Sequence, residues 1–376
     1  MNTMTIVLFD DERFILKALQ RTINRIYPVA DVITVTELNE FWAVLKENKT
    51  IDLVISDYLM PHINGLDVLE RCLTENPYPV RALLTGDSSL TSKMRQSNVV
   101  HMYLAKPFNK DNLILLFENV ADLKALPFSD TMRRKLGSMP SFPVYPLLLK
   151  ELNNLINSGD YDLANVAEVV AKEPIIVAKL LQLANSAYLG FTRETSSIEE
   201  AVSRLGTTIL LSISASLLIA QNSQSCLSAS EHEQHLSQAT HYASCVKKFA
   251  QHIKMSQKEQ ALLFSVALLS FVGKLIKLEG EEKSDLSAEE PLPEHCISYL
   301  HISAYVMKLW GYSSQVCSLI INSSELKAPD DKLGNVLFIV QQKLFYKESN
   351  EALITFCQHH DVDSSIYEAI GTFDWE

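Results

Sequence analysis

The stretch Ile51-Asp-Leu-Val-Ile-Ser-Asp-Tyr-Leu-Met-Pro61 constrains this chain most. An apolar run, Leu53 to Ile55, leads to Asp57 and is broken at Pro61, so Asp57 stands where a buried strand stops. In an open α/β sheet the crevice for chemistry lies beyond the carboxyl ends of the strands, and a carboxylate there is placed to react. Three other segments read as strands with polar residues at the same end. Ile6 to Phe9 runs into Asp10-Asp11, Ala82 to Leu84 into Thr85, and Met102 to Ala105 into Lys106-Pro107. If the strands are parallel, these residues converge on one rim.

The convergence has a chemical meaning. Asp10, Asp11 and Asp57 crowd like charges together, which is costly without a cation, and a hard all-oxygen cluster suits Mg²⁺. Lys106 and the Thr85 hydroxyl would then hold the oxygens of a phosphoryl group transferred to Asp57, a carboxylate acting as nucleophile. One aspartate at a strand end more often caps a turn. Asp10, Asp11, Asp57, Thr85 and Lys106 in this order, each at an expected strand end, make a far more specific pattern.

On these residues, the segment from residue 4 to about 124 resembles the receiver domain of two-component response regulators. The matching positions are Asp10-Asp11, Asp57, Met60-Pro61, Gly65, Thr85-Gly86 and Lys106-Pro107-Phe108. The resemblance implies that Asp57 is the phosphoacceptor, that Asp10, Asp11 and Asp57 with the backbone carbonyl of Leu59 surround Mg²⁺, and that Thr85 and Lys106 contact the phosphoryl group. It also implies that Tyr103 is the aromatic switch residue and that the surface from about Ser88 to Leu123 is a dimerisation face.

A chain of 376 residues is too long for one typical core and suggests two or three domains. Its 33 basic and 45 acidic residues give a net charge of −12, which repels a polyanion and disfavours a DNA-binding regulator. The six cysteines, at 72, 226, 245, 296, 317 and 357, form no C-x-x-C pair and read as thiols of a reducing compartment. No basic and then apolar leader is visible at Met1, and the apolar run Ile209 to Ala220 is too short for a bilayer span. A cytoplasmic protein without a membrane partner is expected.

Strand and helix patterns alternate through residue 124, which implies a doubly wound, five-stranded parallel sheet of flavodoxin-like type. From 125 to 144 the pattern dissolves into Pro127, Gly137, Pro140, Pro143 and the basic cluster Arg133-Arg134-Lys135, a linker by composition. Beyond Pro146 strand signals nearly vanish. Helical runs at Leu147 to Ile156, Tyr161 to Ala171, Ile175 to Ala184, Ile198 to Leu205 and Thr208 to Ala220 are followed by Ala239 to His252 and Gln260 to Leu278. They argue for an all-α domain over 145–329. Pro174 suits the first turn of its helix, Ser197 is an N-cap candidate, and Gly206 a stop. The acidic stretch Glu279 to Glu290 is expected to be an exposed loop. Residues 330–376, with helical runs at Leu333 to Phe345 and Ala352 to Gln358, read as an extension that could cover either domain.

Lys172 to Gly190, with its Ala-Asn-Ser-Ala run, and Ala201-Val-Ser-Arg-Leu-Gly206 carry a second resemblance. Roughly residues 136 to 325 resemble the HDOD domain, an all-helical relative of the HD phosphohydrolases. Those hydrolases need a His-Asp pair and further histidines to hold two metals against a phosphodiester. Here Ala267-Leu-Leu-Ser-Phe-Val-Gly-Lys274 has Ser270 and Phe271 at the pair, and Ser323-Ser324 at later paired histidines. An alternative cluster among His232, His235, His241, His252, His295, His301, His359 and His360 lacks an acidic partner at an expected spacing.

The expectation is a response regulator phosphorylated on Asp57 by a cognate histidine kinase, with a catalytically empty HDOD domain signalling through protein contacts. The downstream protein could be a phosphodiesterase, and the receiver could form a homodimer. The alternative is a degenerate regulator that binds a cyclic dinucleotide or inhibits an active phosphodiesterase.

Overall fold

The computed structural model describes residues 3–47, 50–86, 99–106, 110–138, 147–159, 161–184, 195–222, 229–276, 298–309, 312–326 and 330–375. The chain divides into two compact units, Met1–Tyr145 with Met307–Ser314, and Pro146–Val306 with Gln315–Glu376.

The first unit runs β1 (Thr5–Phe9), α1 (Arg13–Ile26), β2 (Asp31–Val35), α2 (Leu38–Glu47), β3 (Leu53–Asp57), α3 (Gly65–Glu75), β4 (Val80–Thr85), β5 (Met102–Ala105), α4 (Lys110–Ala125) and α5 (Asp130–Ser138). The five strands pair in the order β2-β1-β3-β4-β5, all parallel. Every residue of β3 and β4 is buried, as the continuous apolar runs require when helices cover both faces. Leu16, Leu19 and Ile23 give α1 its buried stripe at helical spacing. Strand order reverses between β1 and β3, so the crevice at their carboxyl ends is a switch point of the sheet.

Strand β3 continues through Ser56 to Asp57, two residues beyond the apolar run. The stretch read as a linker contains α5, a correction with a clear physical source. Arg133, whose charge suggested solvent, is buried and donates to the carbonyls of Leu123, Leu126 and Lys124 at 2.7, 2.8 and 3.0 Å. Leu123 and Lys124 lie in the last turn of α4 and Leu126 just beyond it, where carbonyls lack the regular helical amide donors. Residues 88–98 of the expected dimerisation surface lie outside the described residues, as do Pro140, Pro143 and the acidic stretch 279–290.

From residue 147 on, the elements among the described residues are helical: α6 (Leu147–Asn157), α7 (Leu163–Ala171), α8 (Pro174–Ala184), α9 (Ile198–Leu205), α10 (Thr207–Asn222), α11 (Ala229–His252), α12 (Gln257–Leu269), a 3₁₀ turn (Val272–Leu275), α13 (Tyr299–Leu309), α14 (Ser314–Asn322), α15 (Lys332–Phe345), α16 (Asn350–His359) and α17 (Ser364–Thr372). Pro174 opens α8, and Ser197 caps α9 by accepting from the Glu200 amide at 3.2 Å. Gly206 closes α9 at φ 82°. Asn185 to Gly190 lies outside the described residues.

Helix α11 starts ten residues before the expected Ala239, because Ala229 to Gln238 is too polar to display an apolar period. The tail packs within the second unit. The Tyr242 hydroxyl donates to the Leu337 carbonyl at 2.9 Å, and Phe249 contacts the rings of Phe373 and Trp375 at 5.2 and 5.3 Å. Cys72, Cys245, Cys317 and Cys357 are buried and in no disulfide, while Cys226 and Cys296 lie outside the described residues. No helix among the described residues is long and apolar enough to cross a membrane.

Candidate functional site

Three strand ends meet at the β1/β3 crevice. Asp10 follows β1 and is 1% exposed; its Oδ1 accepts from the Glu12 amide at 2.8 Å, which turns the chain into α1. Asp57 closes β3 and is mostly buried. Lys106 follows β5, and its Nζ lies 2.6 Å from Asp57 Oδ1 and 3.6 Å from Asp10 Oδ2. The Lys106 amide donates to the Thr85 carbonyl at 2.7 Å, so the ends of β4 and β5 are held in register beneath the site. Thr85 is buried at the end of β4.

Helix α3 closes the site from one side. Its Asn64 cap accepts from the Asp67 amide at 3.0 Å, and the Gly65 amide donates to the Tyr58 carbonyl at 3.0 Å. A Cβ on Gly65 would stand 2.0 Å from the Asp57 carbonyl oxygen, so only glycine allows this approach. Leu59, two residues beyond Asp57, is 70% exposed. Tyr103 lies on β5, and its side chain is outside the described residues, as are Pro107 and Phe108.

Burial pushes the Asp10 carboxyl above its ordinary value; the Glu12 amide opposes this, the Asp57 charge adds to it, and Lys106 opposes it. Asp10, Asp11 and Asp57 each bring an oxygen within 4.8 Å of the others. Among the described residues they are the one group of three or more acidic, histidine or cysteine side chains so arranged. Asp10 Oδ2 is buried without a hydrogen bond. A buried carboxylate oxygen lacking a donor, beside two further carboxylates, fits a hard divalent cation such as Mg²⁺.

In the second unit the positions matched to the hydrolase metal pair are closed by packing. The Ser270 hydroxyl, 1% exposed, donates to the Ala267 carbonyl at 2.8 Å. Phe271, 2% exposed, contacts Phe345, Tyr242 and Tyr299 at ring separations of 5.7, 6.1 and 6.1 Å. The Lys274 ammonium lies 4.5 Å from the Phe271 ring centre and 4.6 Å from that of Tyr299. Burial lowers its pKa. Ser323 is buried and donates to the Ile320 carbonyl at 2.8 Å. His241, His252, His301, His359 and His360 each engage a neighbouring protein atom. The side chain of His232 and all of His295 lie outside the described residues.

The family model of the response regulator receiver domain matches residues 6–118, and that of the HDOD domain matches residues 142–323. The chain carries a receiver domain followed by an HDOD domain. Among curated proteins, the receiver-HDOD chain is 27% identical over 124 residues to the hydrogenase transcriptional regulatory protein HoxA of Bradyrhizobium diazoefficiens, covering 32% of this chain and 25% of that protein. It is 25% identical over 122 residues to a chemotaxis protein CheY homologue of Campylobacter jejuni, covering 31% of this chain and 92% of that protein. The chain thus spans a quarter of the length of HoxA and most of the CheY homologue. Among solved structures it is 25% identical to the signal receiver domain of an HD domain-containing protein from Pseudomonas fluorescens Pf-5, with a TM-score of 0.30, covering 33% of this chain and 91% of that one. Neither a receiver nor an HDOD domain is by itself a known catalytic domain.

Sequence reasoning named each residue brought together at the sheet rim. It named Phe271 only as standing in place of a metal ligand and did not single out Lys274 or the Tyr299 and Phe345 rings beside it, because rings supplied from separate helices leave no local spacing to detect.

Proposed function

We propose that this response regulator takes a phosphoryl group from a cognate histidine kinase onto Asp57, and that its HDOD domain passes the resulting state on through protein contacts. A carboxylate oxygen of Asp57 attacks phosphorus. The phosphorus–nitrogen bond to the donor imidazole breaks as the phosphorus–oxygen bond forms, and the leaving nitrogen keeps the electron pair and later takes up a proton. Lys106, already 2.6 Å from Asp57, holds a transferred phosphoryl oxygen by charge, and the Thr85 hydroxyl donates to another. Asp10, Asp11 and Asp57, with the Leu59 carbonyl, would hold Mg²⁺, which when bound offsets charge on the phosphoryl oxygens. Tyr103 follows the movement of Thr85.

The observation that carries this reading is the meeting of three carboxylates and one ammonium at the carboxyl ends of parallel strands. In the HDOD domain, the buried Phe271 ring stands where a metal ligand would be needed, and a phenyl ring cannot ligate. That supports a contact surface rather than a hydrolase, with a downstream signalling protein as the partner.

The test is incubation with Mg²⁺ and phosphoramidate, read by intact mass. One phosphate should add to the wild-type chain and none to Asp57→Ala, with chelation of Mg²⁺ suppressing the reaction. Equal phosphate uptake by Asp57→Ala would refute the assignment.

A further inference from the structure

Strands β4 and β5 carry functional residues at both ends. At their carboxyl ends stand Thr85, which closes β4, and Lys106, whose ammonium reaches Asp57 at 2.6 Å. At their opposite ends stand Arg81 and His101, joined by a contact of 2.9 Å between Nη2 and Nε2 and by the His101 amide donating to the Arg81 carbonyl at 2.8 Å. Arg81 and Thr85 are four residues apart on one strand, roughly 13 Å at the usual rise of about 3.3 Å per residue.

Arg81 is 1% exposed, an uncommon place for a guanidinium. Its donors are spent on main-chain carbonyls: Nε on Val99 at 2.7 Å, Nη1 on Pro79 at 3.4 Å, and Nη2 on Gly137 at 3.4 Å. Gly137 belongs to α5, so a residue of the central sheet grips the helix that precedes the helical domain in sequence. The seat is shaped for it. A Cβ on Gly137 would lie 2.0 Å from the Pro77 carbonyl oxygen, and Arg134 donates to Asn76 Oδ1 at 3.1 Å and lies over the Tyr78 ring.

We propose that α5 is the output element of the receiver, and that it is controlled through β4 and β5 as a rigid pair. Resting on the phosphorylation reading above, new contacts at Asp57 draw Thr85 and Lys106 toward the site. The paired strands move with them and carry Arg81 and His101 away from Gly137. Phosphorylation therefore loosens α5 from its seat. Buried strands with fixed ladder bonds transmit such a displacement because they cannot absorb it by repacking.

The experiment is hydrogen exchange of the full chain, read by mass spectrometry, with and without beryllofluoride and Mg²⁺. Fluorine NMR follows formation of the Asp57 adduct in the same samples. Exchange across residues 130–138 should accelerate about fivefold or more when the adduct forms. Gly137→Ala should show fast exchange there without beryllofluoride and should bind beryllofluoride more tightly by the same factor, since coupling is reciprocal. Arg134→Gln, which loosens the seat at its rim, should shift both readings in the same direction by less. Unchanged or slower exchange with the adduct formed would overturn the inference and leave the phosphorylation reading standing. Failure of the wild-type chain to form an adduct would overturn that reading, and the inference with it.

Discussion

Replacing Gly65 by alanine tests the geometry of the phosphoacceptor site. In an exposed helix interior, Gly→Ala stabilises by about 0.8–1.0 kcal/mol, because alanine loses less backbone entropy. Gly65 opens α3 against Asp57, and the new methyl would lie 2.0 Å from the Asp57 carbonyl oxygen and 2.7 Å from Leu83 Cδ1. Ordinary contact begins near 3.4 Å, so α3 or the end of β3 must retreat by about 1.4 Å. Overpacking of this kind costs about 1–3 kcal/mol, and because Gly65 is the first residue of α3 it realises only part of the interior-helix gain, which leaves a net loss of up to about 2 kcal/mol. The retreat also displaces the nucleophile, and a misplacement of about 1 Å can cost on the order of a hundredfold in rate. Native-state hydrogen exchange of the β1 and β3 amides measures the first effect, and the rate of phosphate uptake from phosphoramidate measures the second. A variant at least as stable as wild type, phosphorylated at the wild-type rate, would refute the reasoning.

Two further outcomes follow from buried groups. His101 is held neutral, its pKa pushed well below the ordinary 6.5 by burial and then by the Arg81 charge. Both its ring nitrogens face Arg81 donors, Nδ1 the amide at 3.1 Å and Nε2 the guanidinium Nη2 at 2.9 Å, and a protonated ring can accept from neither. The unfolded chain takes up the proton first as pH falls below about 6.5, so the neutral histidine's contribution is complete above that pH and drains away below it. Between pH 7 and 5.5 the receiver should lose about 1 kcal/mol that His101→Gln does not lose, measured by urea titration at each pH; equal losses in both proteins would contradict this. In the HDOD domain, Phe271→Ala should cost about 3–5 kcal/mol and speed exchange in α15, which contributes Phe345 to the same ring cluster; a stability change under about 1 kcal/mol would show that the cluster is not packed as described.

Much of this protein was legible in its residues. The continuous burial of β3 and β4 requires apolar runs, and those runs are visible without a structure. Asp10, Thr85 and Lys106 were identifiable because each follows or ends such a run. Helix α5 was hidden, since Arg133 and Arg134 look like solvated charge until their carbonyl and Asn76 partners are supplied by α4 and the loop after α3. The first turns of α11 were hidden for the related reason that a polar helix has no apolar period to display.

By itself the sequence determined the alternation of strand and helix, the later helical half, and which side chains stand at strand ends, because these depend on periodicity and local breaks. Only the tertiary structure decided that Lys106 reaches both Asp10 and Asp57, that Phe271 and Lys274 share a ring cluster, that the C-terminal helices pack within the helical unit, and that Arg81 grips Gly137 across 56 positions of chain. Such contacts form between segments distant in sequence, where the cost of burying a charge or polar group is met by partners that no local pattern specifies.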